Sequence, residues 1–343
     1  MGIEPTVVSL SAEHRDLEPE FARDQINLRV MGFPNTGRAR YARLVGWMYS
    51  VCRELRPAAL LSMPFGWHAF LALGAQAAGV RSVAAHVGNY PPPRDSLSFS
   101  KFRWLVQAGR PLTRKLICCS AYVARGVTDL FGVPGSETEV IYNGADVHSI
   151  ARRSDAARNA TGGRARAVVG MVARLEMHKD QPTLIRATKL LRDAGRETEV
   201  WLIGDGSRRS EYERLIAELG LRNTVKLLGM RRDIPELLGQ LDVFAFAATP
   251  DEGQGVALVE AMAAGVPIVA TDVGACREVL DQGALGTLVP PNRPEALAAA
   301  IESAMVAREQ AVAQVARARA KAFSVFTIDS MARAYARTLG LPV

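Results

Sequence analysis

The sequence predicts an α/β protein built from two doubly wound domains with parallel sheets, and three observations lead there. The second half alternates short apolar runs with amphipathic helical stretches, the pattern of a parallel sheet with crossover helices. The length of 343 residues exceeds what one hydrophobic core usually organises. Between the halves, residues 148–166 are polar and basic, contain Gly162 and Gly163 and show no apolar periodicity, so they read as an interdomain linker.

In the first half, strands are expected at residues 6–10, 58–62, 82–86, 115–120 and 139–142, each followed by a turn or a helical pattern. In the second half they are expected at 167–173, 199–203, 225–228, 242–247, 267–270 and 286–289, with helices at 181–194, 208–219, 234–238, 256–264, 275–280 and 294–307 between and after them. Asp180 is placed to cap the first of these helices, with Pro182 in its opening turn, and Gly265 to end the fourth. In open parallel sheets ligands bind beyond the carboxyl ends of the strands, which is where the polar clusters below fall.

Composition narrows the classes. A hydrophobic fraction of 48% supports a folded protein, and the four cysteines, Cys52, Cys118, Cys119 and Cys276, have neither C-x-x-C spacing nor framework density. A zinc site or disulfide scaffold is not expected, and a reducing cytoplasm is the simplest location. No basic n-region precedes an apolar run at the N-terminus, and nowhere do 18 apolar residues follow one another, so neither a signal peptide nor a membrane span is expected. The net charge of +7 is scattered and aromatic residues are only 6%, which does not describe a nucleic-acid-binding protein. The densest basic stretch, residues 94–115, interleaves Arg94, Lys101, Arg103, Arg110, Arg114 and Lys115 with Phe99, Phe102, Trp104 and Leu105. It fits either an ordinary solvated helix with its aromatic side turned to the core or a peripheral contact with an anionic membrane.

The most informative segment runs from Asp251 to Pro267 as Asp-Glu-Gly-Gln-Gly-Val-Ala-Leu-Val-Glu-Ala-Met-Ala-Ala-Gly-Val-Pro. Glu252 precedes Gly253, Gln254, Gly255 and Val256, where glycines let backbone N–H groups approach a ligand at the positive end of a helix. Glu260 follows eight residues later among Val259, Ala261 and Met262, so its carboxylate is partly buried and needs hydrogen-bond donors, which ribose hydroxyls supply. Arg174 and Lys179 leave the strand at 167–173 and form either an anion clamp suited to a diphosphate or two solvated loop charges. Gly204-Asp205-Gly206 allows close approach to a ligand, although a lone G-x-G is more often a tight turn. His86, in Ala-His-Val-Gly-Asn, could hydrogen-bond a reacting hydroxyl, and Asn143-Gly144 is a turn signal, but a lone His is more often structural. There is no D-x-D pair for a divalent metal, no G-x-x-x-x-G-K-[ST] loop, no G-x-G-x-x-G fingerprint and no G-x-S-x-G elbow. ATP hydrolysis, hydride transfer and triad hydrolysis lose their starting points.

In order, His86, Ser120, Asn143-Gly144 with Asp146, Gly170 with Arg174 and Lys179, Gly204-Asp205-Gly206, Gly229 and the E-x7-E pair Glu252 and Glu260 resemble the retaining glycosyltransferase family 4, the glycosyl transferases group 1. The resemblance implies the GT-B architecture, two Rossmann-like domains facing a central cleft: an acceptor-side domain over residues 1–155, a nucleotide-sugar domain over 156–322, and a C-terminal helix over 323–343 crossing back to the first domain. It implies transfer of a sugar from a nucleoside-diphosphate sugar to a hydroxyl of a glycan, glycolipid or small molecule, with retention and without a metal or other cofactor. Arg174 and Lys179 would neutralise the leaving diphosphate, Glu260 would hold the ribose, Glu252 with residues 253–256 would orient the donor sugar, and the backbone near Met230 would meet the base. His86 would join the catalytic set, and Gly204, Gly206 and Asn143 the donor site. In the family a strand, a glycine-rich loop and a helix precede the strand that residues 6–10 resemble, so this chain is expected to lack that unit. The competing function is a catalytically silent sugar-nucleotide-binding homologue or partner subunit. A sugar-nucleotide epimerase fits less well, because Glu252 lies in the Glu-Gly-x-Gly setting of transferases.

Overall fold

Short apolar runs buried on both faces and separated by helical stretches pair in parallel, because only a crossover connection returns the chain to the same edge. The computed structural model describes residues 2–12, 17–33, 36–37, 39–63, 65–160, 166–306 and 308–342. In the first domain β1 (Thr6–Ser9) and β2 (Asn27–Val30) pair in parallel with each other, and β3 (Ala59–Ser62), β4 (Ser82–Val87), β5 (Lys115–Cys118) and β6 (Thr138–Val140) form a parallel sheet in that order. In the second, β7 (Ala167–Val172), β8 (Thr198–Ile203), β9 (Val225–Gly229), β10 (Val243–Phe246), β11 (Ile268–Thr271) and β12 (Thr287–Val289) form a parallel sheet of order β12-β11-β10-β7-β8-β9.

The larger core lies in the second domain, where Val169, Phe244, Phe246 and Val269 on the strands meet Leu184, Ile185, Leu258 and Met262 from the helices, all 1% exposed or less. Gly265 ends the helix Val256–Ala264 in the left-handed conformation, φ +70°, as expected of a C-terminal glycine. The strand β2 went unforeseen because Asn-Leu-Arg-Val carries no continuous apolar run and is only half-buried.

Two expectations are corrected. The stretch 148–166, read as a linker, is helical over Val147–Ala160. Val147, Ile150, Ala151 and Ser154 are buried at i, i+3, i+4 and i+7, a stripe of mostly small residues, and Ser154 Oγ donates to the Pro235 carbonyl at 2.7 Å. The remaining residues 161–165, including Gly162 and Gly163, lie outside the described residues. Asp180 does hold the N-cap position of Gln181–Asp193, but in the left-handed conformation, φ +38°, and its carboxylate makes no capping bond. The turn is tied instead by Gln181 Nε2, which donates to the Arg174 carbonyl at 2.8 Å.

Near residue 327 the chain passes from one domain to the other. The helix Arg308–Val325 sends Ala318 and Ala322 into the second core, Ala145 N–H donates to the Phe326 carbonyl at 2.9 Å, and the helix Ile328–Leu339 packs on the first sheet. There Met331, Tyr335 and Leu339 meet Ala84, Ile117 and Ile141, and Ser82 Oγ donates to the Leu339 carbonyl at 2.5 Å.

Candidate functional site

Strand β7 lies between β10 and β8, so the winding of the second sheet reverses there, and the loops after β7 and β10 open side by side. A crevice at such a reversal is where open α/β sheets bind ligands. One loop carries Arg174 and Lys179, the other Glu252. Lys179 and Glu252 form an ion pair whose side chains are 15% and 7% exposed, and Lys179 Nζ lies 5.4 Å from the centre of the Phe246 ring. Removal of two charges from water is offset only by close pairing, which this geometry supplies. Arg174 is exposed at the rim.

Glu252 is followed by Gly253, Gln254 and Gly255, the last at φ +77° and opening the helix Val256–Ala264. Glu260 lies one turn into that helix. No group among the described residues hydrogen-bonds its carboxylate, and burial pushes it up to about 7. The Gly204-Asp205-Gly206 turn presses on the loop after β7: Leu175 N–H donates to the Asp205 carbonyl at 3.0 Å, and a Cβ on Gly204 would stand 2.1 Å from the Ala173 oxygen. Met230, just after β9, exposes its side chain.

The first domain meets these loops with the ends of β4, β5 and β6. His86 is buried at the end of β4, burial lowers its pKa so that the ring is neutral at pH 7, and Nδ1 hydrogen-bonds the Tyr335 hydroxyl at 2.8 Å. Two residues on, the Gly88 carbonyl faces Gly253 so closely that a Cβ on Gly253 would lie 1.9 Å from it; only glycine permits this approach. Ser120 Oγ, at the end of β5, donates to the Gly253 carbonyl at 2.6 Å. Asn143, after β6, exchanges two bonds with Gln254: Asn143 N–H donates to Oε1 at 2.6 Å and Nε2 donates to the Asn143 carbonyl at 3.0 Å. Thus Lys179 is joined directly to Glu252 and Asn143 to Gln254, whereas Arg174 and Met230 stay at the surface.

Two polar side chains at this seam had no sequence signal. Glu278 projects from the short helix Gly274–Val279 after β11 and bonds Ala121, Tyr122 and Tyr142 of the first domain, and Tyr335, on the helix Ile328–Leu339 that packs on the first sheet, bonds His86, both from outside any motif. A single Glu or Tyr on a helix is indistinguishable from surface until the two domains are placed together.

Residues 155–321 match the family model for glycosyl transferases group 1, and residues 1–149 match that for Glycosyltransferase Family 4. The chain is 33% identical over 162 residues to an amylovoran biosynthesis glycosyltransferase of Erwinia amylovora, covering 45% of this chain and 40% of that one. It is 30% identical over 179 residues to a 2-deoxystreptamine glucosyltransferase of Streptomyces kanamyceticus, covering 50% of this chain and 46% of that one. The chain therefore spans less than half the length of these two curated relatives. Among solved structures, it resembles Anabaena Alr3699/HepE in complex with UDP and glucose, with a TM-score of 0.84 and 26% identity over 98% of this chain and 91% of that one. The likeness to WaaG, a glycosyltransferase involved in lipopolysaccharide biosynthesis, with a TM-score of 0.71 and 17% identity over 98% of each chain, is one of fold alone. The two family models between them take in all three sheets, and the chain belongs to the glycosyl transferases group 1 of glycosyltransferase family 4, built on the two-domain GT-B fold.

Proposed function

We propose that this protein transfers a sugar, with retention, from a nucleoside-diphosphate sugar to an acceptor hydroxyl in glycan or glycolipid synthesis, with residues 1–155 on the acceptor side and 156–322 on the donor side. The observation that carries this reading is the buried Lys179–Glu252 pair at the sheet reversal, directly before the glycine-rich entry to the helix Val256–Ala264. A diphosphate takes up the Lys179 charge, with Arg174 at the rim as the second cation, and Glu252 is left to accept hydrogen bonds from the donor sugar. Glu260, without a protein partner, receives the ribose hydroxyls.

In the transfer, the bond from the anomeric carbon to the diphosphate oxygen breaks as the bond to the acceptor oxygen forms on the same face. The acceptor proton passes to the departing diphosphate, so the cations at positions 174 and 179 act on charge that grows during the reaction. UDP is the nucleotide we favour, since the HepE complex contains it. The four cysteines are buried and unbridged, which agrees with a reducing cytoplasm.

A contact with the face of an anionic membrane belongs to the same reading. On and beside the helix Phe99–Gly109, Leu97 is fully exposed and Trp104 is 65% exposed among Arg94, Lys101 and Arg103, while Arg110 is taken up by Glu137. No helix among the described residues is long and apolar enough to cross a membrane.

Release of free nucleoside diphosphate with and without acceptor tests the function. Acceptor-dependent release supports transfer, whereas nucleotide binding without release supports a silent homologue. A thermal-shift screen of UDP, GDP, ADP and TDP selects the donor, because a ligand at 100 times its dissociation constant stabilises a fold by roughly 2.7 kcal/mol.

A further inference from the structure

Glu278 reaches across the domain boundary and takes three hydrogen bonds from the first domain. Its Oε1 accepts from Ala121 N–H at 2.6 Å and from the Tyr142 hydroxyl at 2.8 Å, and its Oε2 accepts from Tyr122 N–H at 2.7 Å. Ala121 and Tyr122 open the helix Ala121–Phe131, whose first-turn N–H groups have no partner inside the helix. The N-cap Ser120 serves Val123 N–H at 3.1 Å, and Glu278 serves the two before it. A carboxylate is favoured there by the helix dipole, and its second contribution is geometric.

That same turn grips the loop carrying Glu252 on both sides. Tyr122 donates its hydroxyl to the Pro250 carbonyl at 2.9 Å, and Ser120 donates to the Gly253 carbonyl at 2.6 Å. The Tyr122 ring lies on the start of the Glu278 helix, where a Cβ on Gly274 would stand 2.2 Å from it. Whatever fixes the first turn of Ala121–Phe131 against the second domain therefore fixes the carbonyls flanking Asp251 and Glu252.

We propose that Glu278 is a positioning residue: it anchors this turn to the second domain and, through Ser120 and Tyr122, holds Glu252 and Gly253 where the donor sugar binds. Its carboxylate is specified by the partners, since three donors converge on two oxygens. Glutamine would turn an NH2 toward an N–H or O–H donor and lose at least one bond. A cavity of about 500 Å³ borders Ala121, Tyr122 and Glu278. Water can therefore reach the freed amides, and the variants are expected to keep the fold, which a thermal melt of each checks.

The test compares the full chain with Glu278→Ala, Glu278→Gln and Tyr142→Phe, each saturated with UDP. Hydrogen exchange is followed in residues 120–124 and in the loop 248–255, beside steady-state turnover and UDP affinity. In Glu278→Ala exchange should quicken by about tenfold or more in both segments, because charge-assisted bonds are lost. The maximal rate should fall by about the same factor while UDP affinity stays within about twofold. Glu278→Gln should follow Ala in the same direction, and Tyr142→Phe, which keeps both amide bonds, should stay near the parent.

Quickened exchange confined to 120–124 with parental turnover would make Glu278 a simple helix cap and overturn the proposal. So would lost turnover with an undisturbed loop, or a loop that loosens without any change in rate. The turnover arm rests on the glycosyltransferase reading. A parent that transfers no sugar removes that reading, and the exchange arm then decides the role of Glu278 alone.

Discussion

The Tyr335 hydroxyl and His86 Nδ1 lie 2.8 Å apart, although 249 residues separate them along the chain. The bond fixes the imidazole by the nitrogen facing the crossover helix and leaves Nε2 on the side of Gly88, where a Cβ would be 3.2 Å from it. Tyr335→Phe keeps the packing and removes only the hydroxyl. If His86 acts on the reacting sugar or acceptor, kcat should fall by about 3- to 10-fold, the worth of one neutral hydrogen bond, with UDP affinity unchanged. Kinetics beside calorimetry check this, and a parental kcat would mean that the ring orientation is not used.

Lys179 and Glu252 form a buried pair, so removing one partner strands the other's charge. Lys179→Met should destabilise the protein by about 3–5 kcal/mol, and Lys179→Met with Glu252→Gln by much less. In turnover, loss of Lys179 should raise the barrier by roughly 3 kcal/mol, as for loss of one preorganised electrostatic donor. Denaturant melts of the single and double variants separate the stability effect from the catalytic one. Additive destabilisation would show that the two charges do not depend on each other.

Burial raises the Glu260 carboxyl from its ordinary 4.5 to about 7. Between those values the folded state binds a proton that the unfolded state has released, so stability falls as pH rises through this window, by about 3 kcal/mol in all. Glu260→Gln should melt with the parent at pH 5 and above it at pH 8. If ribose hydroxyls donate to Glu260 they favour its ionised form, so UDP affinity should rise more steeply from pH 6 to pH 8 in the parent than in the variant, where only the phosphate of UDP titrates. Equal pH profiles for UDP binding would detach Glu260 from the ribose.

The exposed Trp104 and Leu97 beside Lys101 and Arg103 should bind vesicles rich in anionic lipid at low salt and release them as salt rises, because exposed charges are screened within about 10 Å at 0.1 M. Trp104→Ser should weaken flotation at every salt concentration. Lys115, whose Nζ already donates to the Ser136 carbonyl at 2.5 Å, should matter little. Salt-independent flotation, or none at low salt, would remove the membrane contact.

Most strands of the second domain were legible as short runs of apolar residues, Ala167–Val172, Val243–Phe246 and Ile268–Thr271 most clearly, and Lys179 and Glu252 were legible because they lie in the loops that follow two of these runs. The helix Val147–Ala160 was not, since its buried face consists of Val147, Ile150, Ala151 and Ser154 amid arginines, and small residues carry little periodic signal. The engagement of Gln254 was hidden for a different reason. Its amide reads as a ligand contact from the loop alone, but its partner is the Asn143 backbone, 111 residues earlier. Contacts between domains depend on how two separately specified sheets dock, and no local pattern encodes that.

The helix Ile328–Leu339 completes the hydrophobic contacts of β4 and β5 by placing Leu339 against Ala84 and Ile117. Ribosomes deliver chains from the N-terminus at about 5–20 residues per second. Seen in time, the first sheet emerges early and then waits for a helix made after the entire second domain. During that interval this helix does not yet cover the first sheet, and a chain ending just before residue 328 would contain the second domain's core residues through Phe326 but lack Met331, Tyr335 and Leu339 for the first. The order of synthesis and the order of assembly are thus reversed for the half of the molecule that carries His86.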